Sequence, residues 1–253
     1  SSNGDAFTNL TASPVAHARS GSRLISDGNT LYSFSQVATT TGGLQTIAVE
    51  STDDEGGSTW DVRTAGGNAL SGVLRDVDLF FDRNGTERIV FLTENRFLWY
   101  DTTNYVENEL LSLPFPGRAL ARFGDKLLIF MDGMRVWEYS ATGAIRDISP
   151  GGVQGMPSGK DFGSDTEGQV CVHTSARGVY ALWSGADGGG TDLKPLCLVW
   201  SGEGWHFIWQ KADTSVSNAA RFVTIDPVSG DLLMAVQDAI SVDSTFVQLT
   251  DIE

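Results

Sequence analysis

The feature that most constrains this chain is a two-strand unit that recurs five times. In each copy a strand-like run precedes a tight turn and a more apolar run, as in SRLISDGNTLYSFS from Ser22 and RALARFGDKLLIFM from Arg118. The other copies begin near Arg75, Gln169 and Ala220, so successive starts are separated by 53, 43, 51 and 51 residues. A fixed period of about 40 to 50 residues is typical of propeller repeats.

Each of the first four units continues with further strand-like runs, such as RVWEYSAT and then AIRDIS in the third. Four antiparallel strands make one propeller blade, whereas a β-sandwich or jelly roll gives no reason for strands to repeat in fours. Apolar residues nowhere keep the spacing of an amphipathic helix. We therefore predict an all-β chain, a β-propeller with about five four-stranded antiparallel blades.

The repeat also suggests how the chain is organised. Residues 22–253 form the predicted propeller, and residues 1–21 are predicted to be an N-terminal arm or a strand that closes a blade. The glycine-rich stretches 151–165 and 186–192 lack strand character. Since ordering such loops costs about 1 to 2 kcal/mol of backbone entropy per residue, we expect them to be mobile in the isolated chain and ordered against neighbours in an assembly.

Charge and hydropathy exclude several classes of partner. The chain has 17 Lys and Arg against 32 Asp and Glu, a formal charge of −15, which repels nucleic-acid phosphate and anionic lipid alike. Sequence-specific nucleic-acid binding is therefore not expected. No apolar run approaches the roughly 20 residues of a membrane span. Cys171 and Cys197 fall on the predicted first and third strands of one blade, about 10 Å apart, so we expect free thiols, which favour a reducing compartment.

Chemical motifs are sparse. The histidines, His17, His173 and His206, have no zinc-like spacing, and His173 either points into the channel or, more commonly, packs in a blade. Arg75, Arg118 and Arg221 recur near blade starts, which suits a water-lined channel better than the arginine cluster that binds a sialidase substrate. With 32 acidic residues, some carboxylate pair reaches glycosidase spacing by chance. We predict no catalytic, cofactor-binding or metal-binding residues and no cofactor.

The tryptophans cluster late in each unit, where large rings are predicted to form the packing layer between blades. They are Trp60, Trp99, Trp137, Trp183, Trp200, Trp205 and Trp209. The segment WSGEGWHFIW at 200–209 is denser than packing requires. Exposure of some of its rings to a partner or a sugar therefore stays open.

One local motif has a known counterpart. Residues 51–60, STDDEGGSTW, resemble the Asp-box hairpin of sialidase-like propellers, with Asp53 or Glu55 in the acidic position, glycines in the turn and Trp60 packed beneath the blade. The resemblance implies a structural role at the outer edge of a blade, away from any central site.

Over most of its length from Ser22, the chain resembles the β-propeller segments of tailed-bacteriophage virion proteins of the tail hub, nozzle and connector. The stretches that carry this resemblance are GDKLLIFMDGMRVWEYSATG (124–143), WSGEGWHFIW (200–209) and DPVSGDLLMAV (226–236). It implies a non-enzymatic structural protein of the virion, assembled in the host cytoplasm and held by contacts with other virion proteins or copies of itself.

The residues themselves agree with this resemblance, because free thiols suit a reducing cytoplasm and a negative conduit does not trap passing DNA. The alternative is an extracellular, secreted or cell-surface propeller that binds carbohydrate or acts like a sialidase. Exposed aromatic rings and paired carboxylates around the channel would favour that alternative.

Overall fold

The computed structural model describes residues 23–28, 30–38, 45–53, 60–64, 70–150, 170–184, 195–210, 218–238 and 244–250. Every regular element in these ranges is a strand, and the strands form five antiparallel sheets, which confirms the predicted all-β, propeller-type fold. Each sheet is a meander in which chain neighbours pair, and we call the sheets blades I to V. Their first strands begin at Arg23, Leu74, Gly117, Val170 and Asn218, close to the five predicted starts.

The chain divides into two compact units. The first comprises residues 1–79 and 84–112, and the second comprises residues 80–83 and 113–253. In the first unit, blade I contains β1 (Arg23–Asp27), β2 (Thr30–Ala38), β3 (Gln45–Thr52), β4 (Asp61–Val62) and β5 (Leu70–Ser71). Blade II contains β6 (Leu74–Phe81), whose last two residues group with the second unit, β7 (Glu87–Thr93), β8 (Arg96–Asp101) and β9 (Val106–Ser112).

The second unit holds the other three blades. Blade III contains β10 (Gly117–Phe123), β11 (Lys126–Met131), β12 (Arg135–Ser140) and β13 (Ile145–Asp147). Blade IV contains β14 (Val170–Ser175), β15 (Gly178–Trp183), β16 (Leu196–Trp200) and β17 (Trp205–Gln210). Blade V contains β18 (Asn218–Ile225), β19 (Leu232–Asp238) and β20 (Ser244–Leu249).

Two blades differ from the predicted four strands. In blade I, the short strands β4 and β5 both pair with β3, at Glu50 and Ser51 and at Thr46 and Ile47 respectively. Blade I is therefore still four strands wide, because β4 and β5 share one edge of β3. In blade V, the described residues supply three strands, of which β20 is an edge.

Period-two alternation explains how neighbouring blades pack. In blade III, Leu128 and Phe130 on β11 and Val136 on β12 turn to one side, where they meet Ala181 and Leu198 of blade IV in one buried cluster. The Trp205 indole N–H donates a hydrogen bond of 2.5 Å to the Ile148 carbonyl across the same interface. A second cluster, which includes Leu182 and Met234, joins blades IV and V. In the first unit, Phe34 and Phe91 belong to the cluster between blades I and II.

At Gly178 in blade IV, the neighbouring strand β16 leaves no room for a side chain. A Cβ placed there would lie 2.3 Å from the Trp200 carbonyl oxygen and 2.9 Å from Cγ2 of Val199. Gly178→Ala is therefore expected to lower the free energy of unfolding by about 1 to 3 kcal/mol, because neither strand can move without disturbing the sheet. Denaturant unfolding measures the change.

The matched control is Gly204→Ala in the β16–β17 turn, where an added Cβ meets nothing within 4 Å. This change is expected to alter the free energy of unfolding by no more than about 0.5 kcal/mol. Equal effects at the two glycines would contradict the steric argument.

Candidate functional site

The second unit contains an open cleft of about 800 Å³ between blades III and IV. Three turns approach it: the β10–β11 turn at Gly124 and Asp125, the β14–β15 turn at Ala176, and the β16–β17 turn at Gly202. Gly124 has a φ of 61°, the positive value that a two-residue hairpin turn needs and that glycine adopts without strain. We call this the III–IV cleft.

An ion pair lies on the blade III side of the cleft. Glu138 lies two residues after Val136 on β12, so both side chains are on the same face of the sheet, with Glu138 beyond the apolar cluster. The Arg146 guanidinium on β13 donates a hydrogen bond of 2.9 Å to the Glu138 carboxylate. The Glu138 side chain is 13% exposed and that of Arg146 is 57% exposed. The Arg146 guanidinium carbon also lies 5.8 Å from the centroid of the Trp200 ring, a cation–π distance.

The rest of the lining combines an aromatic ring with small polar groups. Phe123 is half-buried at the end of β10, and its ring edge lies near Gly202, where an added Cβ would come within 3.2 Å of it. Thr174 and Ser175 of β14 bring hydroxyl groups, and Lys126 lies 3.3 Å from the Asp125 carboxylate. Among the described residues, the lining therefore holds two acidic and two basic side chains, whose charges cancel.

The sequence analysis did not single out these residues. They come from different strands of two blades, and pairings between strands cannot be read from the period alone. The pattern of RVWEYS gives no signal for Glu138, because Trp137 and Tyr139 flank it and alternation then predicts Glu138 on the polar face of the strand.

The three recurrent arginines have different surroundings. Arg118 forms a bidentate pair with Asp132 of the β11–β12 turn, with distances of 2.5 Å and 2.8 Å, and both side chains are largely buried. Arg75 pairs with Glu94 at 3.0 Å near the surface of blade II, and Arg221 is exposed at a bulge in β18. Each of the two ion pairs joins residues of the same blade, so these two arginines link parts of the fold to one another.

A cluster in the first unit gathers Arg63 and several tyrosines. The Arg63 guanidinium donates to the Ser51 hydroxyl at 2.8 Å and to the Tyr105 hydroxyl at 3.1 Å, and the Tyr100 hydroxyl donates to the Arg63 carbonyl. Burial raises the pKa of Tyr100 above its ordinary value, and burial also raises the pKa of Tyr32. A tyrosine nucleophile needs a lowered pKa, whereas burial acts here in the opposite direction. We call this group of hydrogen bonds the Arg63 brace.

His173 is half-buried on β14, the first strand of blade IV, and faces β18 of blade V. Its Nδ1 lies 3.5 Å from the Thr224 hydroxyl of β18, and burial lowers its pKa. His206 is exposed, with Nε2 3.2 Å from the Ser201 hydroxyl, while His17 lies outside the described residues. Within the described ranges, no group of three or more His, Cys, Asp or Glu side chains is arranged to hold a metal ion.

The two cysteines are free thiols, as predicted. Cys171 on β14 and Cys197 on β16 both align with Leu182 of β15, which confirms their placement on the first and third strands of one blade. Cys197 is buried, and burial raises the pKa of its thiol to about 12.

The predicted packing between blades is confirmed for Trp183, Trp200, Trp205 and Trp209. Trp183, Trp200 and Trp205 are buried in the cluster between blades III and IV, and the other four are partly buried. In the dense segment at 200–209, the exposed ring is that of Phe207, at 56%.

Several predictions concern residues outside the described ranges. The Asp-box-like hairpin is described only at its ends, where β3 and β4 pair antiparallel and Trp60 is partly buried. The segment 1–21 and the glycine-rich stretches 151–165 and 186–192 also lie outside these ranges.

Comparison with known proteins identifies the fold only. No family model matches the chain, and no curated protein matches it. A similar solved structure is the extracellular domain of a putative one-component system from B. thetaiotaomicron, with 11% identity, a TM-score of 0.52, and coverage of 86% of this chain and 30% of that one. Another is a chain of the Mitotic Checkpoint Complex, with 13% identity, a TM-score of 0.51, and coverage of 90% and 63% respectively.

This chain therefore spans less than two thirds of the length of either of these neighbours. At such identities the likeness concerns the fold alone. In the described part of the chain, no helix is long and apolar enough to cross a membrane.

Proposed function

We propose that this chain is a non-enzymatic structural protein of a tailed-bacteriophage virion, a propeller scaffold in the tail or connector that makes protein–protein contacts. The observation that carries the proposal is the exposed aromatic face of blade V. Phe222 on β18 and Phe246 on β20 both align with Ala235 of β19, on the face opposite the cluster shared with blade IV.

The exposure of this face is unusual for a packed sheet. Phe246 is 73% exposed and Phe222 is 37% exposed, and their ring centroids lie 6.1 Å apart. Phe246 also stands on an edge strand of the described sheet. Exposed aromatic side chains on an open edge attract further strands, so a protein that keeps them needs a partner to cover them. The occupant we infer is a neighbouring protein subunit of the same assembly.

Charge and side-chain use support the same proposal. A chain of formal charge −15 suits a conduit that must not retain DNA. The buried Arg118–Asp132 pair and the Arg63 brace join elements of the fold to one another, which is what a scaffold requires of its charged groups.

Proteomic analysis and electron cryomicroscopy of particles encoded by the same genome test the proposal. The chain is expected in purified virions at a fixed copy number, with the blade V aromatic face covered. A Phe246→Ser variant is expected to be excluded from particles or to leave tails incomplete. Because this ring is already exposed, the change is expected to alter the free energy of unfolding by no more than about 0.5 kcal/mol.

Phe207→Ser is the matched control, because Phe207 is also an exposed phenylalanine, on β17 of blade IV. We expect it to assemble normally. Absence of the chain from purified virions, or equal incorporation of the Phe246 variant, would overturn the proposal. Turnover of sialosides or polysaccharides that is lost on Glu138→Gln would instead support the sialidase-like alternative.

A further inference from the structure

We propose that the III–IV cleft binds a neutral oligosaccharide. Its volume of about 800 Å³ lies in the range of small-ligand sites, about 300 to 1,000 Å³, and holds more than one sugar ring. The inference is independent of the virion proposal, because it concerns a different face of the second unit.

The cleft interrupts an apolar interface with charged groups. On the blade III face, Leu128 and Val136 are buried beside Glu138, a carboxylate that remains mostly buried. The Arg146 side chain is 57% exposed, so the pair lies at the rim of the interface, where its polar atoms are within reach of a ligand.

Charge balance selects a neutral ligand. Asp125 and Glu138 repel an anion, while Lys126 and Arg146 repel a cation, so the lining that the structure describes has no excess charge of either sign in a chain of formal charge −15. Adjacent sugar hydroxyls can donate to a carboxylate and accept from a guanidinium, which Glu138 and Arg146 present 2.9 Å apart.

The remaining lining suits the two faces of a sugar ring. Phe123 supplies an apolar surface for the C–H face, and the exposed Thr174 supplies a hydroxyl group that can both donate and accept hydrogen bonds. The neighbouring Ser175 hydroxyl already donates to the Gly178 carbonyl and accepts from the Arg177 N–H. An apolar wall with a few convergent polar groups is the usual composition of a small-ligand site.

Calorimetric titration of the full chain tests the inference. The probes are maltohexaose, cellohexaose, chitohexaose and xylohexaose, with sialyllactose as the charged comparison. We expect at least one neutral probe to bind, and Glu138→Gln, which keeps the side-chain shape, to weaken that binding at least about tenfold. The control Glu94→Gln removes a comparable charge from the Arg75 pair in blade II and should leave binding unchanged.

A second variant separates binding from folding. Thr174 is exposed on β14, so Thr174→Trp should fill the cleft and abolish binding without loss of stability, whereas Thr103→Trp in an exposed turn of blade II should bind normally. The inference is wrong if no neutral probe binds at up to about 1 mM. It is also wrong if binding survives both cleft changes, or if sialyllactose binds more tightly than every neutral probe.

Discussion

Replacing Phe130 by alanine is expected to lower the free energy of unfolding by about 3 to 5 kcal/mol, the usual cost of removing a fully buried phenyl ring. Phe130 has no exposed surface, and its ring centroid lies 6.0 Å from that of Trp183 and 6.3 Å from that of Trp205. The loss therefore opens a cavity between blades III and IV where large rings meet. Guanidinium chloride unfolding followed by tryptophan fluorescence measures it.

Phe207→Ala provides the comparison, because Phe207 is 56% exposed on the outer strand of blade IV. This change should cost no more than about 0.5 kcal/mol. A Phe130→Ala protein as stable as the Phe207→Ala protein would show that the cluster between blades III and IV does not pack as described.

Asp132→Ala is expected to destabilise the protein by about 3 to 5 kcal/mol, because it leaves the Arg118 guanidinium largely buried without its bidentate partner. The side chains of Arg118 and Asp132 are only 9% and 14% exposed. A bulge in β10 between Gly117 and Ala119 places Arg118 out of the regular ladder and opposite the β11–β12 turn. Thermal and denaturant unfolding of the variant give the loss.

A variant that lacks both charges identifies the cause. Arg118→Met with Asp132→Leu removes both charges, so the double variant should be more stable than Asp132→Ala. Disruption of the more exposed Arg75–Glu94 pair by Glu94→Gln should cost no more than about 1 kcal/mol. A double variant less stable than Asp132→Ala would mean that the pair is needed for the shape of the turn rather than for its charge balance.

The sequence predicted most of the strands, including RVWEYSAT (β12) and AIRDIS (β13), and missed β5 and β20. The units near Arg118 and Gln169 have clear turns and apolar second strands, and both appear as complete four-stranded blades. Strand β20 went unpredicted because AISVD, at residues 239–243 before it, contains no glycine, proline or asparagine to signal a turn. Strand β5 has only two residues, too few for any periodicity.

The sequence predicted the candidate site less well than the strands, because a site depends on which side chains the fold brings together. Arg75 and Arg118 occupy similar places in their repeats, yet one pairs near the surface and the other is buried against a turn. The III–IV cleft joins Phe123, Glu138 and Thr174, which are separated by one blade boundary and by strand registers that no local pattern encodes.

The order of the strands within each blade also determines how the chain folds during its synthesis. A hairpin forms in microseconds, whereas a ribosome adds about 5 to 20 residues per second, so each blade can pair its own strands before the next one is made. The packing face of blade III is complete near Ile148, but its partner Trp205 follows 57 residues later, about 3 to 11 seconds of translation. During that interval Phe130 and its neighbours present an uncovered apolar surface on a nascent chain, which is the kind of surface that chaperones bind.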